Sequence, residues 1–367
     1  MNRFSCTRGG RGALAGAPAP HPAAPAPRPA SPAPHPAILS PRPAAPAPHP
    51  ATPAPQPAID IHQHLWPETL VAALRGRQTP PRLRGWTLEV DGVPDYEVDP
   101  RDHDVTVRLA EAAADGLDLA LVSLSAPLGI ESLPPSEAQE LLDVYHEGSL
   151  ALPAPFGAWA AACLTEIDAP ALERRLDQGC VGLQLPATTL LGLEGYERVK
   201  PLLDTLEARR RPLFIHPGPA ATAGDSPAWW PAIVSYPQQM HAAWFAFRAY
   251  GRPRHPGLRA CFAMLAGLAP LHGERAASRA GLRTVIDEDA FLEISSYGTR
   301  AIDATVRVLG IDVLVNGSDR PYAGPVPPDL GEAASRALRS TNPLRLLDPI
   351  KEVSDELAIA SGTQSRA

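Results

Sequence analysis

The feature of this chain that most restricts its fold is a regular alternation of short apolar runs with helical patterns between residues 59 and 350. Apolar runs of this kind are typical of strands buried on both faces of a parallel sheet, with helices as the crossovers. Eight such units fit a closed (β/α)₈ TIM barrel better than an open doubly wound sheet. The predicted strands are residues 59–64, 119–124, 157–163, 181–185, 213–216, 258–264, 291–295 and 313–316.

Two observations support this α/β fold class. No Gly-x-Gly-x-x-Gly follows the first predicted strand, which weakens a dinucleotide-binding fold. The segment 199–206 places its apolar side chains at i, i+3, i+4 and i+7, which is one stripe of a helix. Further helices are predicted over residues 67–75, 102–114, 136–150, 170–178, 240–250, from 270 onward, 300–309 and 328–339.

A low-complexity segment precedes this pattern. Residues 18–57 repeat a Pro-Ala-Pro-x-Pro-Ala-x unit with a period of seven. So many prolines exclude a helix and internal sheet pairing, so we expect residues 1–58 to be a disordered, extended polyproline-II segment. We interpret its histidines as part of a spacer, not as metal ligands. The predicted domain is then residues 59–350, followed by a C-terminal tail over residues 351–367.

An insertion follows the first strand and helix. Residues 86–90 and 93–98 read as two strands joined by Asp91-Gly92, a strong signal for a hairpin turn. A hairpin inserted over residues 76–100 would lie above the C-terminal end of strand one. Arg82, Arg84 and Trp86 are therefore candidates for substrate binding, although a purely structural flap fits each of them equally well.

Charge and composition exclude several classes of function. The formal net charge is −7, and residues 1–58 hold five arginines but no acidic side chain, so the rest of the chain is more acidic still. An acidic body argues against nucleic acid as a partner. No apolar run reaches the roughly 18 residues that a membrane span needs. The four cysteines form no Cys-x-x-Cys pattern, which is typical of reduced thiols in a cytoplasmic protein.

Metal-ligating side chains stand at the ends of three predicted strands. His62 and His64 are two residues apart on strand one and therefore point to the same face. His216 ends strand five, and Asp319 follows strand eight. In a (β/α)₈ barrel the C-terminal strand ends meet at one face, so these four side chains converge. Three imidazoles and one carboxylate suit a divalent ion, Zn²⁺ first, with Mn²⁺ or another divalent ion as alternatives.

Five short motifs occur together and in a fixed order. They are Asp-Ile-His-Gln-His at 60–64, Leu-Phe-Ile-His-Pro-Gly at 213–218, Phe-Ala-Met-Leu-Ala-Gly-Leu-Ala-Pro at 262–270, Gly-Ser-Asp-Arg-Pro-Tyr at 317–322 and Asn-Pro-Leu-Arg-Leu-Leu at 342–347. Through them residues 59–347 resemble the amidohydrolase superfamily, in the amidohydrolase-related branch that includes aminocarboxymuconate semialdehyde decarboxylase. The resemblance implies a site for one metal ion held by His62, His64 and His216. Asp319 would be a fourth ligand or a proton-transfer group, and a homodimer is common in this branch.

The chain departs from that pattern at one position. The resemblance implies a histidine at the end of the sixth strand, and Met264 stands there instead. A thioether cannot carry a proton and is a poor ligand for a borderline ion. Asp319 would then act as the only catalytic base, or His272 or His241 would take over, or the chemistry has changed. We therefore treat Asp319 and His272 as the catalytic candidates.

Other candidates for the substrate pocket follow the predicted strands. Arg320 directly follows Asp319 and could hold a substrate carboxylate, although an ion pair with a neighbouring strand end fits it equally well. Trp229, in the loop after strand five, could close the site or anchor that loop. Tyr297, just beyond strand seven, has the same two interpretations.

The sequence leaves three functions open. The first is a metal-dependent hydrolase of a small amide, lactone or cyclic acid that acts through a metal-activated water. The second is a metal-dependent decarboxylase of an aromatic or unsaturated carboxylic acid, which the family resemblance implies. The third is a non-catalytic barrel that binds a metabolite, with the Pro-rich tail as a tether. All three predict a small-molecule ligand.

Overall fold

The computed structural model describes residues 56–220, 226–282, 285–325 and 329–347. The predicted tail over residues 1–58 lies outside the described residues except at 56–58, and the predicted C-terminal tail lies outside them entirely. The described residues fall within one compact unit. In that part of the chain, no helix is both long and apolar enough to cross a membrane.

Strands and helices alternate through this unit, as the apolar pattern predicts. The strands are β1 Ile59–Gln63, β2 Arg82–Arg84, β3 Thr87–Glu89, β4 Tyr96–Glu97, β5 Leu119–Val122, β6 Phe156–Ala158, β7 Leu183–Pro186, β8 Leu213–His216, β9 Ala260–Phe262, β10 Ala290–Glu293 and β11 Leu314–Val315. The helices are α1 Glu68–Gly76, α2 Val105–Ala114, α3 Pro135–Leu150, α4 Ala169–Asp177, α5 Leu193–Ala208, α6 Tyr236–Ala246, α7 Gly273–Ala280, α8 Thr299–Leu309, α9 Glu332–Arg336 and α10 Asn342–Leu347. The predicted α/β class is confirmed.

Eight of these strands are parallel and follow one another in chain order. They form one sheet in the order β1-β5-β6 and a second in the order β7-β8-β9-β10-β11. Across the first seam, the amide of Ala160 donates to Gly182 O at 2.9 Å, and the amide of Gln184 donates to Ala160 O at 2.8 Å. Across the second seam, the amide of Ile61 donates to Asn316 O at 3.0 Å. This is the strand order that a (β/α)₈ barrel requires.

An apolar floor lies beneath the ends of the strands. The Trp159 and Phe214 rings stack with their centroids 5.3 Å apart, and the Trp159 indole N–H donates to Ile61 O at 2.9 Å. The Phe214 ring in turn contacts His62, 5.0 Å away between centroids. Burying each of these rings contributes roughly 2–3 kcal/mol to stability. The floor also keeps water from approaching the histidines from below.

The insertion after α1 contains three strands. β2, β3 and β4 form an antiparallel sheet in which Thr87 pairs with Glu97 and Leu83 pairs with Leu88. The sequence reading missed β2, because a three-residue strand of Arg-Leu-Arg carries almost no periodic signal. Asp91-Gly92 does lie in the turn between β3 and β4, but that connection is longer than the two residues predicted.

The helical segments also depart from the predicted bounds at two places. The helix predicted over 240–250 begins earlier, because a π-helical turn at Pro231–Ser235 runs into α6 and a second one at Phe247–Gly251 follows it. The helix predicted over 328–339 is α9 followed by a π-helical turn at Ala337–Thr341 and then α10. Pro328 itself lies outside the described residues.

A left-handed turn follows β9 directly. Met264, Leu265, Ala266, Gly267 and Leu268 all have φ between +48° and +61°. Left-handed backbone costs a residue with a side chain about 1–2 kcal/mol, so this turn is strained. At Gly267 only glycine fits, because an added Cβ would lie 2.3 Å from Pro237 O in the first turn of α6. The turn therefore packs directly against the first turn of α6.

We expect neighbouring substitutions in this turn to have different effects. Gly267→Ala combines left-handed strain with a backbone clash and is expected to lower the free energy of unfolding by about 3 kcal/mol. Ala266→Gly relieves strain while losing a buried methyl, so its effect should stay within about 1 kcal/mol. The matched control, Ala243→Gly in the right-handed helix α6, should cost about 2 kcal/mol. Urea unfolding of the three variants checks this, and an Ala266→Gly loss equal to that of Ala243→Gly would contradict the strain.

Candidate metal centre

Four side chains converge at the C-terminal ends of β1, β8 and β11. One ligand atom from each of His62, His64, His216 and Asp319 lies within 4.8 Å of all the others. The Nε2 atoms of His62 and His64 are 3.2 Å apart, and Asp319 Oδ1 is 3.4 Å and 3.2 Å from them. All three histidines are buried. The structure thus brings together the four residues that the sequence predicts as metal ligands.

The Nδ1 atom of each imidazole lies beside a hydrogen-bond acceptor, and this contact determines which ring nitrogen carries the hydrogen. His64 Nδ1 lies 3.0 Å from Ser123 O, and His216 Nδ1 lies 2.8 Å from Pro217 O. A carbonyl oxygen can only accept, so both Nδ1 atoms carry the hydrogen and both Nε2 atoms present lone pairs. His62 Nδ1 lies 3.1 Å from the carboxylate of Glu293, with the same consequence.

Three buried lone pairs that face one another need a cation between them. Without one, a neutral Nε2 at this centre is a desolvated acceptor that faces other acceptors, which is unfavourable unless His62 takes up a proton. The donor set of three nitrogens and one carboxylate oxygen fits a divalent ion such as Zn²⁺ or Mn²⁺. These four residues therefore fit the group that the site is predicted to hold.

Asp319 reaches the centre through an unusual backbone conformation. Its φ is +57°, and its amide donates to His62 O at 2.9 Å. Aspartate is among the few residues with a side chain that tolerate the left-handed region. This conformation turns the chain sharply after β11 and places the carboxylate against the two histidines of β1.

Burial and neighbouring charges shift the pKa values at the centre. Burial lowers the pKa of His64 and, more strongly, that of His216, which keeps both imidazoles neutral. Burial also opposes charging of His62, but the carboxylates of Asp319 and Glu293 raise its pKa overall. Burial opposes ionisation of Asp319, yet its histidine neighbours hold its pKa below the usual value. Neutral imidazoles and an ionised carboxylate are the forms that bind metals, so these shifts favour binding at His64, His216 and Asp319, whereas His62 would have to release a proton to an ion.

Glu293, at the end of β10, is a residue of the site that sequence reasoning missed. It is fully buried, and its carboxylate accepts hydrogen bonds from Ser295 Oγ at 2.8 Å and from the amide of Met264 at 3.2 Å, besides contacting His62. Gly317 leaves room for it, because an added Cβ there would lie 2.4 Å from Glu293 Cγ. The signal that could have found it is a glutamate inside an otherwise apolar predicted strand.

We expect Glu293→Gln to weaken metal binding without removing a ligand. A carboxylate behind a ligating histidine fixes its tautomer and raises its basicity, and losing such a partner typically weakens metal affinity by about 10- to 100-fold. Competition with a chromogenic chelator measures the affinity for Mn²⁺ and Zn²⁺. Asp303→Asn, a charge-neutralising change on the exposed side of α8, is the matched control. An unchanged affinity in Glu293→Gln would assign Glu293 a packing role only.

A second buried carboxylate supports the loops around the centre. Asp60 accepts hydrogen bonds from the amides of His62 at 3.0 Å and Ser318 at 3.1 Å, and from Gln63 Nε2 at 2.8 Å. It therefore ties the end of β1 to the segment that carries Asp319. Burial raises its pKa, and these hydrogen bonds act in the opposite direction.

Arg320 and Arg84, both predicted to bind substrate, are engaged elsewhere. The Arg320 guanidinium pairs with Asp115 at 2.9 Å and with Glu111 at 3.3 Å, both on or next to α2. The sequence left open an ion pair with a neighbouring strand end, whereas these partners lie in α2 and at its C-terminal end. Arg84 pairs with Glu89 at 2.6 Å and is largely exposed. Both guanidinium groups are thus paired with carboxylates of the same chain, and their predicted substrate contact stays a prediction.

Trp86 is part of a stack of rings and not of the group around the ligands. Its ring is parallel to that of His103, which stacks on Trp66 from its other side, 4.2 Å away between centroids. Arg75 lies over the outer face of Trp86 at 4.7 Å. This column anchors the small antiparallel sheet, so the structural interpretation of Trp86 is favoured over substrate contact.

The other predicted site residues, His272, Trp229 and Tyr297, contact neighbours outside the ligand group. His272 is exposed, and its ring contacts that of His241 with centroids 4.9 Å apart. Trp229 is exposed and contacts the ring of Trp230. Tyr297 is half-buried and packs against the main hydrophobic core. None of these contacts joins them to the four ligands.

Two tyrosines near Asp319 were not predicted. The ring of Tyr322, in the turn after β11, lies 5.4 Å from the ring of His64. Tyr236 is the first residue of α6. Burial raises the pKa of each hydroxyl, and the negative charge of Asp319 adds to both shifts. Sequence reasoning missed them because neither stands at the end of a predicted strand.

Comparison with solved structures identifies proteins of the same fold. IDCase of Metarhizium anisopliae matches with a TM-score of 0.64 and 18% identity, over 80% of this chain and 97% of that one. The 5-carboxyvanillate decarboxylase of Sphingomonas paucimobilis gives 0.59 and 18%, over 80% and 99%. That of Novosphingobium aromaticivorans, complexed with manganese and a nitrobenzoic acid, gives 0.60 and 17%, over 80% and 96%.

These similarities define the fold of the chain. It shares the fold of decarboxylases and amidohydrolases, so the resemblance predicted from its motifs is confirmed at that level. No protein-family model and no curated protein sequence matches the chain.

Proposed function

We propose that this chain is a metal-dependent, non-oxidative decarboxylase of an aromatic or unsaturated carboxylic acid, built on a closed (β/α)₈ barrel. The observation that carries the proposal is the convergence of three Nε2 lone pairs and the Asp319 carboxylate at the strand ends. The fold shared with decarboxylases over 80% of the chain supports it. Decarboxylation is the alternative that the sequence left open beside hydrolysis.

Met264 replaces a histidine that the resemblance implies for either reaction, and decarboxylation makes fewer demands on the side chains that remain. A hydrolase of this kind must both activate a water and protonate a leaving group, and the thioether at the end of β9 can do neither. Decarboxylation needs a single proton transfer to carbon. Asp319 can supply that transfer alone, because it is the one acidic side chain in the ligand group.

The metal ion and the side chains of the protein have different roles in the proposed reaction. His62, His64 and His216 would hold a divalent ion as neutral ligands, and the ion would supply Lewis acidity for the negative charge that develops as the bond breaks. Asp319 accepts a proton from a substrate hydroxyl or from solvent and delivers it to the ring carbon. The C–CO₂⁻ bond breaks, its electron pair stays on the carbon that receives this proton, and CO₂ leaves.

A screen of acids with CO₂ release as the readout tests the proposal. Protein loaded with Mn²⁺ or Zn²⁺ is expected to release CO₂ from hydroxybenzoates but not to hydrolyse small amides or lactones. Removing the metal with a chelator should abolish CO₂ release, and adding the ion back should restore it. A well-folded protein that binds no divalent metal, or that hydrolyses lactones and releases no CO₂, would refute it.

A further inference from the structure

Two histidines outside the metal centre contact each other near the surface. His241 lies in α6, and His272 ends the segment that begins with the left-handed turn at Met264. Their rings are nearly perpendicular, at 86°, and their centroids are 4.9 Å apart. His272 is exposed and His241 is half-buried, so water reaches the pair. The sequence left open a catalytic role for either residue, and neither belongs to the group of four candidate ligands.

The geometry of this pair matches that of the rings at the candidate metal centre. There, the three pairs formed by His62, His64 and His216 have centroids 4.9 or 5.0 Å apart and interplanar angles of 81° to 84°. A Zn–N bond of about 2.0–2.1 Å places the centroid of a ligating ring about 3 Å from the ion. Two such rings at the angles of tetrahedral or octahedral coordination have centroids about 4.5–5 Å apart. The rings of His241 and His272 meet this requirement.

Both imidazoles are available to a ligand. In the described part of the chain, neither ring forms a hydrogen bond or an ion pair, and the other ring contact of His241 is with Phe245, at 5.2 Å between centroids. Burial and the neighbouring His272 lower the pKa of His241, which keeps that imidazole neutral at neutral pH. A neutral imidazole presents a nitrogen lone pair, which is what a metal ion binds.

The pair connects two segments that already pack together. On α6, Pro237 and His241 are one helical turn apart and lie on the same face. Pro237 contacts Gly267 in the left-handed turn, and His241 contacts His272 at the end of the same segment. The packing at Gly267 thus holds the backbones of both histidines in place before an ion binds. A preformed pair loses less conformational freedom on binding, which favours affinity.

The chemistry of the pair discriminates among divalent ions. Imidazole suits Zn²⁺, Ni²⁺ and Cu²⁺, whereas Mn²⁺ prefers carboxylate, carbonyl and water oxygens. Because the pair is open to solvent, water or a small chelator fills the other coordination positions. Binding should therefore be weaker than at a site with four protein ligands.

We propose that His241 and His272 form a second metal site, for Zn²⁺, Ni²⁺ or Cu²⁺, which ties α6 to the end of the segment after β9. This site is separate from the centre at His62 and does not depend on the reaction that the centre performs. Mn²⁺ does not occupy it.

Equilibrium dialysis of the full chain against single metals tests the second site. We expect the chain to bind more Zn²⁺ than Mn²⁺, and His272→Gln to bind about one Zn²⁺ fewer than the parent with its Mn²⁺ content unchanged. The readout is this difference between parent and variant, so Zn²⁺ held elsewhere on the chain cancels. His49→Gln, which removes an imidazole from the Pro-rich segment, is the matched control and should keep the full Zn²⁺ content.

Cu²⁺–iminodiacetate is an independent probe, because the chelator retains the ion and leaves adjacent positions for two imidazoles. Titration of Mn²⁺-loaded protein should show one tight complex per chain. His241→Gln and His272→Gln should each weaken it at least about tenfold, since the second imidazole of a pair binds the same ion intramolecularly. His49→Gln should leave the affinity unchanged.

The two measurements decide between a metal site and a simple ring contact. Loss of the additional Zn²⁺ and of tight chelate binding in His272→Gln supports the site. Equal Zn²⁺ content in the parent and His272→Gln, or chelate binding that neither substitution weakens, would show that the rings make only an edge-to-face contact. If His241→Gln does not fold, the exposed His272→Gln decides alone.

Discussion

Asp319→Asn is expected to reduce CO₂ release by at least about a thousandfold, because in the proposed reaction Asp319 is the group that carries the proton to carbon. An amide keeps an oxygen that can ligate, so metal affinity should fall much less than turnover. The left-handed backbone at this position is also tolerated by asparagine, so the turn after β11 should be retained. The prediction is therefore a loss in kcat in a folded, metal-loaded protein.

Turnover and metal content, measured on the same preparations, check this expectation. His216→Ala provides the contrast, since losing a neutral ligand should reduce metal content and activity together. Asp303→Asn, in an exposed ion pair with Arg307, controls for loss of one negative charge. An Asp319→Asn protein that keeps its metal and releases CO₂ within tenfold of the parent rate would show that another group delivers the proton.

Glu131→Gln changes the free energy of unfolding, and we expect this change to be about 3 kcal/mol more stabilising at pH 8 than near pH 4.5. Glu131 lies in a short 3₁₀ turn after β5 and is buried, and neither carboxylate oxygen finds a hydrogen-bond partner in another described residue. Burial raises its pKa to about 7, from 4.5 for an exposed glutamate. At pH 8 the folded protein must hold an unpaired buried charge.

The direction of the pH dependence follows from the raised pKa. The folded state holds the Glu131 proton more tightly than the unfolded state, so this group favours folding below pH 4.5. Its contribution falls as the pH rises from about 4.5 to about 7 and is then constant. Glutamine cannot ionise, so the stability of Glu131→Gln lacks this decline. The difference between variant and parent should therefore grow through that window.

Urea unfolding at several pH values between 4.5 and 8 measures this difference. Both proteins carry the same metal load, so the pH dependence of the metal centre cancels. Glu140→Gln, a matched change at an exposed position of α3, should show no such growth. If the parent and Glu131→Gln keep a constant difference across the window, Glu131 is paired with a cation or is not buried as described.

Much of the fold and all four candidate ligands could be predicted from the sequence. Strands such as β8 are apolar up to their last residue because both of their faces are buried, and that pattern is visible in the residues themselves. His62, His64, His216 and Asp319 were found because each stands at the end of such a strand, where the fold class alone brings them to one face. These are local signals combined with one topological rule.

The sequence shows less where contacts between distant residues decide what a side chain touches. Arg320 follows Asp319 directly, yet its partner is Asp115, far away in the chain. The ring of Trp86 is held in a stack that includes the ring of His103. A sequence shows which side chains can bind a substrate, but not which of them a distant element has already engaged.

The sequence by itself therefore determined the α/β class, the order of the strands and the candidate ligands of a metal centre. Only the tertiary structure placed Glu293 behind His62, Tyr322 beside His64, and a left-handed turn at Met264. The physical reason is that hydrophobic periodicity and the ends of strands can be recognised from residues that are neighbours in the sequence. Tautomers, pKa values and the selection of a ligand depend instead on contacts between residues that are far apart in the chain.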